Sequence, residues 1–181
     1  MTKALRVGCI ALLLAACGRS AATEAPPPKV PVALVPKSIQ RGTLKLYENK
    51  SPTTQKAFRH GDPHVLVGDG RLWEIRDHQR LVGALEIATV KSSVGLRSSK
   101  VRKSIVTDVM PGRVDELSVG DVTVYATSSN DKVVYMWFGK KLFEILQLKG
   151  STLDPEGLLT DVVAYQTATD ERAALLILDV Q

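Results

Sequence analysis

Val133-Val-Tyr-Met-Trp-Phe138, then Gly139-Lys140, then Leu142-Phe-Glu-Ile-Leu-Gln-Leu-Lys149: two apolar, β-branched and aromatic runs meet across a short turn. Runs of this composition bounded by a tight turn read as a β-hairpin. Just upstream, Asp121-Val-Thr-Val-Tyr-Ala-Thr127 alternates with period two, and residues 114–119 add a strand before it. An earlier set has the same character. Residues 43–47 and 72–76 alternate, and a turn at residues 77–80 returns the chain into a long strand over 81–91. Gly83 inside that strand suggests a bulge. Residues 64–67 form a short apolar run before Gly68-Asp69-Gly70, which reads as a turn.

Two helices break the pattern. Over residues 99–110, Val101, Ile105 and Val109 recur every four positions, Ser98 or Ser99 can cap the start, and Pro111-Gly112 ends the run. The second starts with Asp154 as N-cap, Pro155 at the first helical position and Glu156 in the first turn. Its apolar stripe is Leu158, Leu159, Val162 and Val163. Residues 173–178 are continuously apolar and read as a buried strand or a continuation of helix, with strand the expectation.

The resulting fold class is α+β: one twisted antiparallel sheet with two packed helices. Trp73-Glu-Ile and Leu85-Glu-Ile in the first half answer Trp137 and Phe143-Glu-Ile in the second, which suggests an internal βββα duplication. The order of elements is similar to that of small exported lipoprotein domains of the PsbP-like type. A likeness of element order implies nothing about function.

The N-terminus carries the clearest functional signal. Lys3 and Arg6 precede an apolar run over residues 7–14, and Ala15 and Ala16 follow. This is the layout of a secretory signal. The run falls well short of the roughly 20 residues a membrane-spanning helix needs. Leu14-Ala15-Ala16-Cys17 resembles the lipobox of bacterial lipoproteins. That resemblance implies removal of residues 1–16 by a dedicated signal peptidase and acylation of Cys17, with fatty acyl groups such as palmitate. The mature protein is then expected in the cell envelope, held to a membrane and facing its extracytoplasmic side. Two or more acyl chains suffice for stable attachment, where a single chain binds only marginally.

Cysteine usage agrees with this expectation. Of two cysteines, Cys9 lies in the signal and Cys17 is the lipid site, so none is left for a disulfide. The folded domain is therefore not expected to be a thiol–disulfide oxidoreductase, a cysteine hydrolase or a Cys-ligated metal protein. Residues 17–40 contain Pro26-Pro27-Pro28, Pro31 and Pro36 and are expected to form an extended tether. Val30, Val32, Leu34 and Val35 are apolar for a linker, and the last of them are expected to dock as an edge strand. Residues 41–181 are long enough for a single domain with a full core. The formal charge of +5 falls to about +3 once Lys3 and Arg6 are removed. In an envelope compartment this points to anionic headgroups or acidic polymers rather than nucleic acid.

Three constellations carry candidate chemistry. His60-Gly-Asp62-Pro-His64 offers two imidazoles and a carboxylate at alternate positions, the donor types a divalent metal takes. Gly61 and Pro63 make this string a turn, in which alternate side chains need not converge. Arg97, Lys100, Arg102 and Lys103 form a dense basic cluster at the start of the first helix. Cations there oppose the helix dipole, so the cluster is either a solvated face or a patch for an anionic lipid or acidic partner. Tyr135 and Trp137 share one face of the hairpin and Met136 and Phe138 the other. Either one set is core and the other packs under a helix, or one set lines a groove for an apolar ligand or partner; Tyr135 and Trp137 are the expected binding pair.

No Gly-x-Ser-x-Gly elbow, phosphate loop or dinucleotide fingerprint is present. Adjacent carboxylates such as Asp115 and Glu116 point to opposite faces of a strand and so do not share a substrate bond. The expected function is a membrane-anchored, non-enzymatic binding or assembly module that needs no cofactor. Its expected partners are the membrane, through Cys17, and an envelope protein or an apolar or anionic envelope ligand. The alternative is a metal-dependent envelope hydrolase using His60, Asp62 and His64.

Overall fold

Short turns join most successive strands, so each half of the chain folds back on itself as an antiparallel meander. The computed structural model describes residues 28–51, 67–91, 93–110, 112–129, 131–150 and 154–179. The first meander comprises β1 (Ser38–Ile39), β2 (Leu44–Asn49), β3 (Val67–Asp77) and β4 (Arg80–Val90), followed by helix α1 (Ser99–Val109). The second comprises β5 (Asp115–Val119), β6 (Val122–Ser129), β7 (Lys132–Phe138) and β8 (Leu142–Lys149), followed by α2 (Pro155–Thr167) and the short α3 (Asp170–Ala173). The two join along β4 and β8 into one eight-stranded sheet of order β1-β2-β3-β4-β8-β7-β6-β5, antiparallel throughout. The fold is α+β, with a small third helix beyond the two expected.

Strand alternation divides the core into two layers. One face of the sheet carries Trp73, Ile75, Leu85, Ile87, Trp137 and Leu146, and α2 covers it with Leu158, Leu159, Val162 and Val163. The other carries Ala88, Val90, Met136, Phe138, Phe143 and Ile145, and α1 covers it with Ile105, Val106 and Val109. Both helices start where their caps predict. The Ser98 hydroxyl accepts from the Val101 amide, and the Asp154 carboxylate accepts from the Gly157 amide.

The halves repeat in their order of elements, with four strands before each helix rather than three. They differ in the face each helix covers. Glu86 sits opposite Ile145 and Ile87 opposite Glu144, so Glu86 and Glu144, matched in sequence, lie on opposite faces of the sheet.

Several local expectations need correction. Residues 68–70 lie inside β3, where the register slips between Val67 and Gly70 instead of turning. The bulge lies beside Gly83: Ile75 pairs with Gly83 but Arg76 with Leu81, leaving Val82 as the extra residue. A Cβ at Gly83 would sit 2.5 Å from the Gln147 carbonyl, so the close approach of β4 to β8 requires glycine there. Residues 173–178 form the end of α3 and an irregular run, joined to the sheet by one bridge, Gly139 to Leu176. Their apolar side chains are used in packing, not in a ladder.

The tether ends earlier than residue 40. Val30, Leu34, Val35 and Ile39 all belong to the buried core on the α2 face, with Leu34 completely enclosed. Prolines at 31 and 36 prevent a regular ladder, but a single 3-10 turn over Val32–Leu34 still drives Leu34 inward. The strap is pinned at its start, where the Val30 amide donates to Asp69 at 3.1 Å. That point lies at the end of the sheet that collects the start of β3, the end of β4, the turn between β7 and β8, and the start of α1. The turn between β6 and β7 and the start of α2 lie at the opposite end.

Candidate ligand-binding site

The α1 basic cluster divides among three environments. Arg102 is mostly buried and meets Asp179 at 3.5 Å. Asp179 is itself fixed by the Thr123 hydroxyl and by its own amide, which donates to the Asp121 carbonyl at 2.8 Å. Burial, reinforced by Glu116, raises the Tyr125 pKa, while Arg102 and Lys103 oppose the rise. Lys103 points the other way and pairs with Glu116 on β5 at 3.1 Å. Arg97 and Lys100 are exposed and make no ion pair among the described residues.

Arg97 and Arg102 line a cleft of about 550 Å³ whose far wall is the irregular C-terminal run. Lys140, from the turn between β7 and β8, completes the cationic side. Leu176, Ile177 and Leu178 supply the apolar side, and Asp170 and Asp179 are its carboxylates. The backbone explains why these parts meet. The Lys140 amide donates to Leu175 O at 2.9 Å and the Ile177 amide to Phe138 O at 3.1 Å. A Cβ at residue 139 would lie 2.5 Å from Leu175 O, so only Gly139 lets the C-terminal run come this close. Asp179 is paired with Arg102, which leaves Arg97, Lys140 and Asp170 as the other charged residues lining a partly apolar cavity. An anion with an apolar portion suits that arrangement.

The aromatic hairpin is not a surface. Tyr135 is buried and Trp137 fully enclosed, both under α2, while Met136 and Phe138 are packed under α1. With a helix on each face of β7, neither alternating set is left for a partner. Tyr135, with Val133, borders a second cleft of about 450 Å³, beside Asp154 and Glu156. Burial and those two carboxylates raise its pKa.

The α2 face also holds a polar group that sequence reading missed. Glu144 is fully enclosed on β8, between Ile87 and Trp137 on the neighbouring strands. Gln166 of α2 is its partner. Its amide donates to Glu144 Oε2 at 2.7 Å and to the Leu34 carbonyl at 3.1 Å, while its oxygen accepts the Trp137 indole N–H at 3.1 Å. Every polar atom of Gln166 is thus used, and the amide clasps strap, helix and sheet together. Glu144 Oε1 has no hydrogen-bond partner. Burial pushes the Glu144 carboxyl up to about 8 against the lowering effect of its Gln166 and Trp137 contacts. The available signal was a carboxylate inside the otherwise apolar run Phe143-Glu144-Ile145-Leu146.

Comparison with protein-family models, curated proteins and solved structures finds no match. The site must be read from its own chemistry.

Cys17, His60, Asp62 and His64 lie outside the described residues. Among the described residues, no cluster of His, Cys, Asp or Glu could hold a metal ion, and no helix is long and apolar enough to cross a membrane.

Proposed function

We propose that the chain is a membrane-anchored envelope lipoprotein. Its domain acts as a non-enzymatic binding module that holds an anionic ligand with an apolar portion in the Arg97–Lys140 cleft. The observation that carries this reading is the junction of Arg97, Arg102 and Lys140 with Leu176, Ile177 and Leu178 around one cavity of about 550 Å³. Arg97 and Lys100 flank the N-terminus of α1, where cations are unfavourable until an anion offsets them. The anchor reading rests on the lipobox and signal layout at residues 1–17. The repeated order of four strands and a helix fits descent from an internal duplication.

The cleft is tested by titrating the mature chain, with Cys17→Ser, against a soluble short-chain phosphatidylglycerol and its phosphatidylcholine counterpart. The anionic lipid is expected to bind and the zwitterionic one to bind far more weakly. Arg97→Glu with Lys140→Glu should remove binding while shifting stability by no more than about 0.5 kcal/mol, as surface changes do. Binding that survives the double substitution, or no preference between the two headgroups, would put the ligand elsewhere.

A further inference from the structure

We infer that the ligand of this cleft is the headgroup layer of the protein's own membrane, so the anchored domain stands with its Arg97–Lys140 end against anionic lipid. The inference rests on the reading of Cys17 as the lipid site and of the cleft as an anion site, and it follows from where the chain enters the fold.

The first observation is the entry point. Val30 is the first enclosed residue of the described chain, and its amide is tied to Asp69 at the start of β3. That carboxylate also accepts from the Gly70 amide at 3.0 Å, and the Asp69 amide donates to Thr89 at the end of β4 at 2.9 Å. The chain therefore enters at the sheet end where β4 finishes and β8 begins. The cleft lies at that same end, because Lys140 is in the turn before β8 and Arg97 follows β4. Val30 is thirteen residues beyond Cys17. A chain of that length spans about 40 Å in polyproline form, roughly the width of the domain itself. The tether limits the distance of the entry end from the anchored lipid most directly, and the charge at that end then sets the orientation.

The second observation is charge. Lys29, Lys91, Arg97, Lys100 and Lys140 all lie at the entry end and make no ion pair among the described residues. The acids there are partly committed: Asp69 to backbone amides and Asp179 to Arg102 and Thr123. Asp121, Asp170 and Glu171 remain. The opposite end is mixed in sign: Asp131, Asp154 and Glu156 stand there with Arg41, Lys132 and Lys149, and Arg113 is paired to Asp115. Each unpaired cation near an anionic leaflet adds roughly 1 kcal/mol of attraction within a Debye length. Leu178, one of four large apolar side chains with substantial exposure among the described residues, sits in the cleft wall at the same end. A basic rim with an apolar residue inside it complements a headgroup layer.

Two measurements test this. In the first, the mature chain with Cys17→Ser is floated with vesicles of phosphatidylcholine alone or mixed with phosphatidylglycerol. Binding is expected only to the mixed vesicles, lost in high salt, and reduced on the order of a hundredfold by Arg97→Glu with Lys140→Glu. Binding to short-chain phosphatidylglycerol in solution without flotation would leave the cleft reading standing and overturn the docking. In the second, the lipidated chain is placed in vesicles with a headgroup quencher and carries one dye, at Asp121→Cys or at Asp131→Cys. These positions flank β6 at opposite ends, separated by about 27 Å of strand. Quenching is expected at 121 and not at 131. Equal quenching, or stronger quenching at 131, would overturn the orientation. Acyl labelling of Cys17 in the same preparation shows separately whether the anchor reading holds.

Discussion

Glu144→Gln is expected to stabilise the domain at pH 8 and to flatten its stability against pH. The carboxyl sits at about 8 in the folded chain and in the ordinary carboxylate range once unfolded. Between those values the folded state binds a proton that the unfolded state has released, so stability falls as pH rises. The contribution is complete below the unfolded pKa and is lost by the time pH passes the folded pKa. Over that window the linkage amounts to several kcal/mol, a large share of the 5–15 kcal/mol typical of a domain.

The surroundings of Glu144 isolate it. Ile87 and Leu85 approach from β4, Leu142 and Leu146 along β8, Trp137 from β7, Val162, Val163 and Gln166 from α2, and Leu34 from the strap. Tyr135 is the other ionisable group on that face of β7, and burial raises its pKa as well. Among the described residues no cation offsets a Glu144 carboxylate. Denaturant melts of wild type at intervals from pH 4.5 to 8.5 should show a decline that Glu144→Gln lacks. Parallel profiles for the two proteins would show that Glu144 ionises without cost.

The second large effect concerns Tyr135→Ser with Trp137→Ser, which is expected to unfold the domain. Removing a buried aromatic ring costs about 3–5 kcal/mol. Losing Trp137 also strips the Gln166 oxygen of its donor, which adds the penalty of a buried unsatisfied group, about 1–3 kcal/mol. Two such changes in one layer exhaust the stability of most domains of this size. Circular dichroism should show loss of cooperative melting at room temperature. A double variant that melts like wild type would mean that these rings are not part of the core.

Legibility in the sequence followed the range of the interactions involved. Ser98, Asp154 and Pro155 act within one helical turn, so both helix starts could be read directly. The hairpin of β7 and β8 could also be read, because its register depends on a turn between adjacent segments. The use of its aromatic faces could not, since alternation separates Tyr135 and Trp137 from Met136 and Phe138 but does not say that a helix covers both sides. Docking of the strap could be read from its apolar residues but its form could not: Pro31 and Pro36 keep residues 31–36 out of a ladder without excluding burial of Leu34. Residues 173–178 lack a period that would distinguish strand from irregular packing.

The site was half legible for the same reason. Arg97 and Arg102 stand out as members of a basic cluster on one helix. Lys140 and Leu178 join them only because Gly139 lets the C-terminal run pack against a distant turn. Gln166 likewise meets Glu144, Trp137 and Leu34 across 22, 29 and 132 positions of chain. No local pattern encodes contacts at those separations.

The anchored-module account stands most directly on Cys17. Cells expressing the wild-type chain, or the chain with Cys17→Ser, should be grown with radiolabelled palmitate and the protein recovered by immunoprecipitation. The account predicts label on a processed wild-type chain in the membrane fraction and an unlabelled, uncleaved or mislocalised Cys17→Ser chain. A wild-type chain without label, or a Cys17→Ser chain that still carries it, would contradict the account.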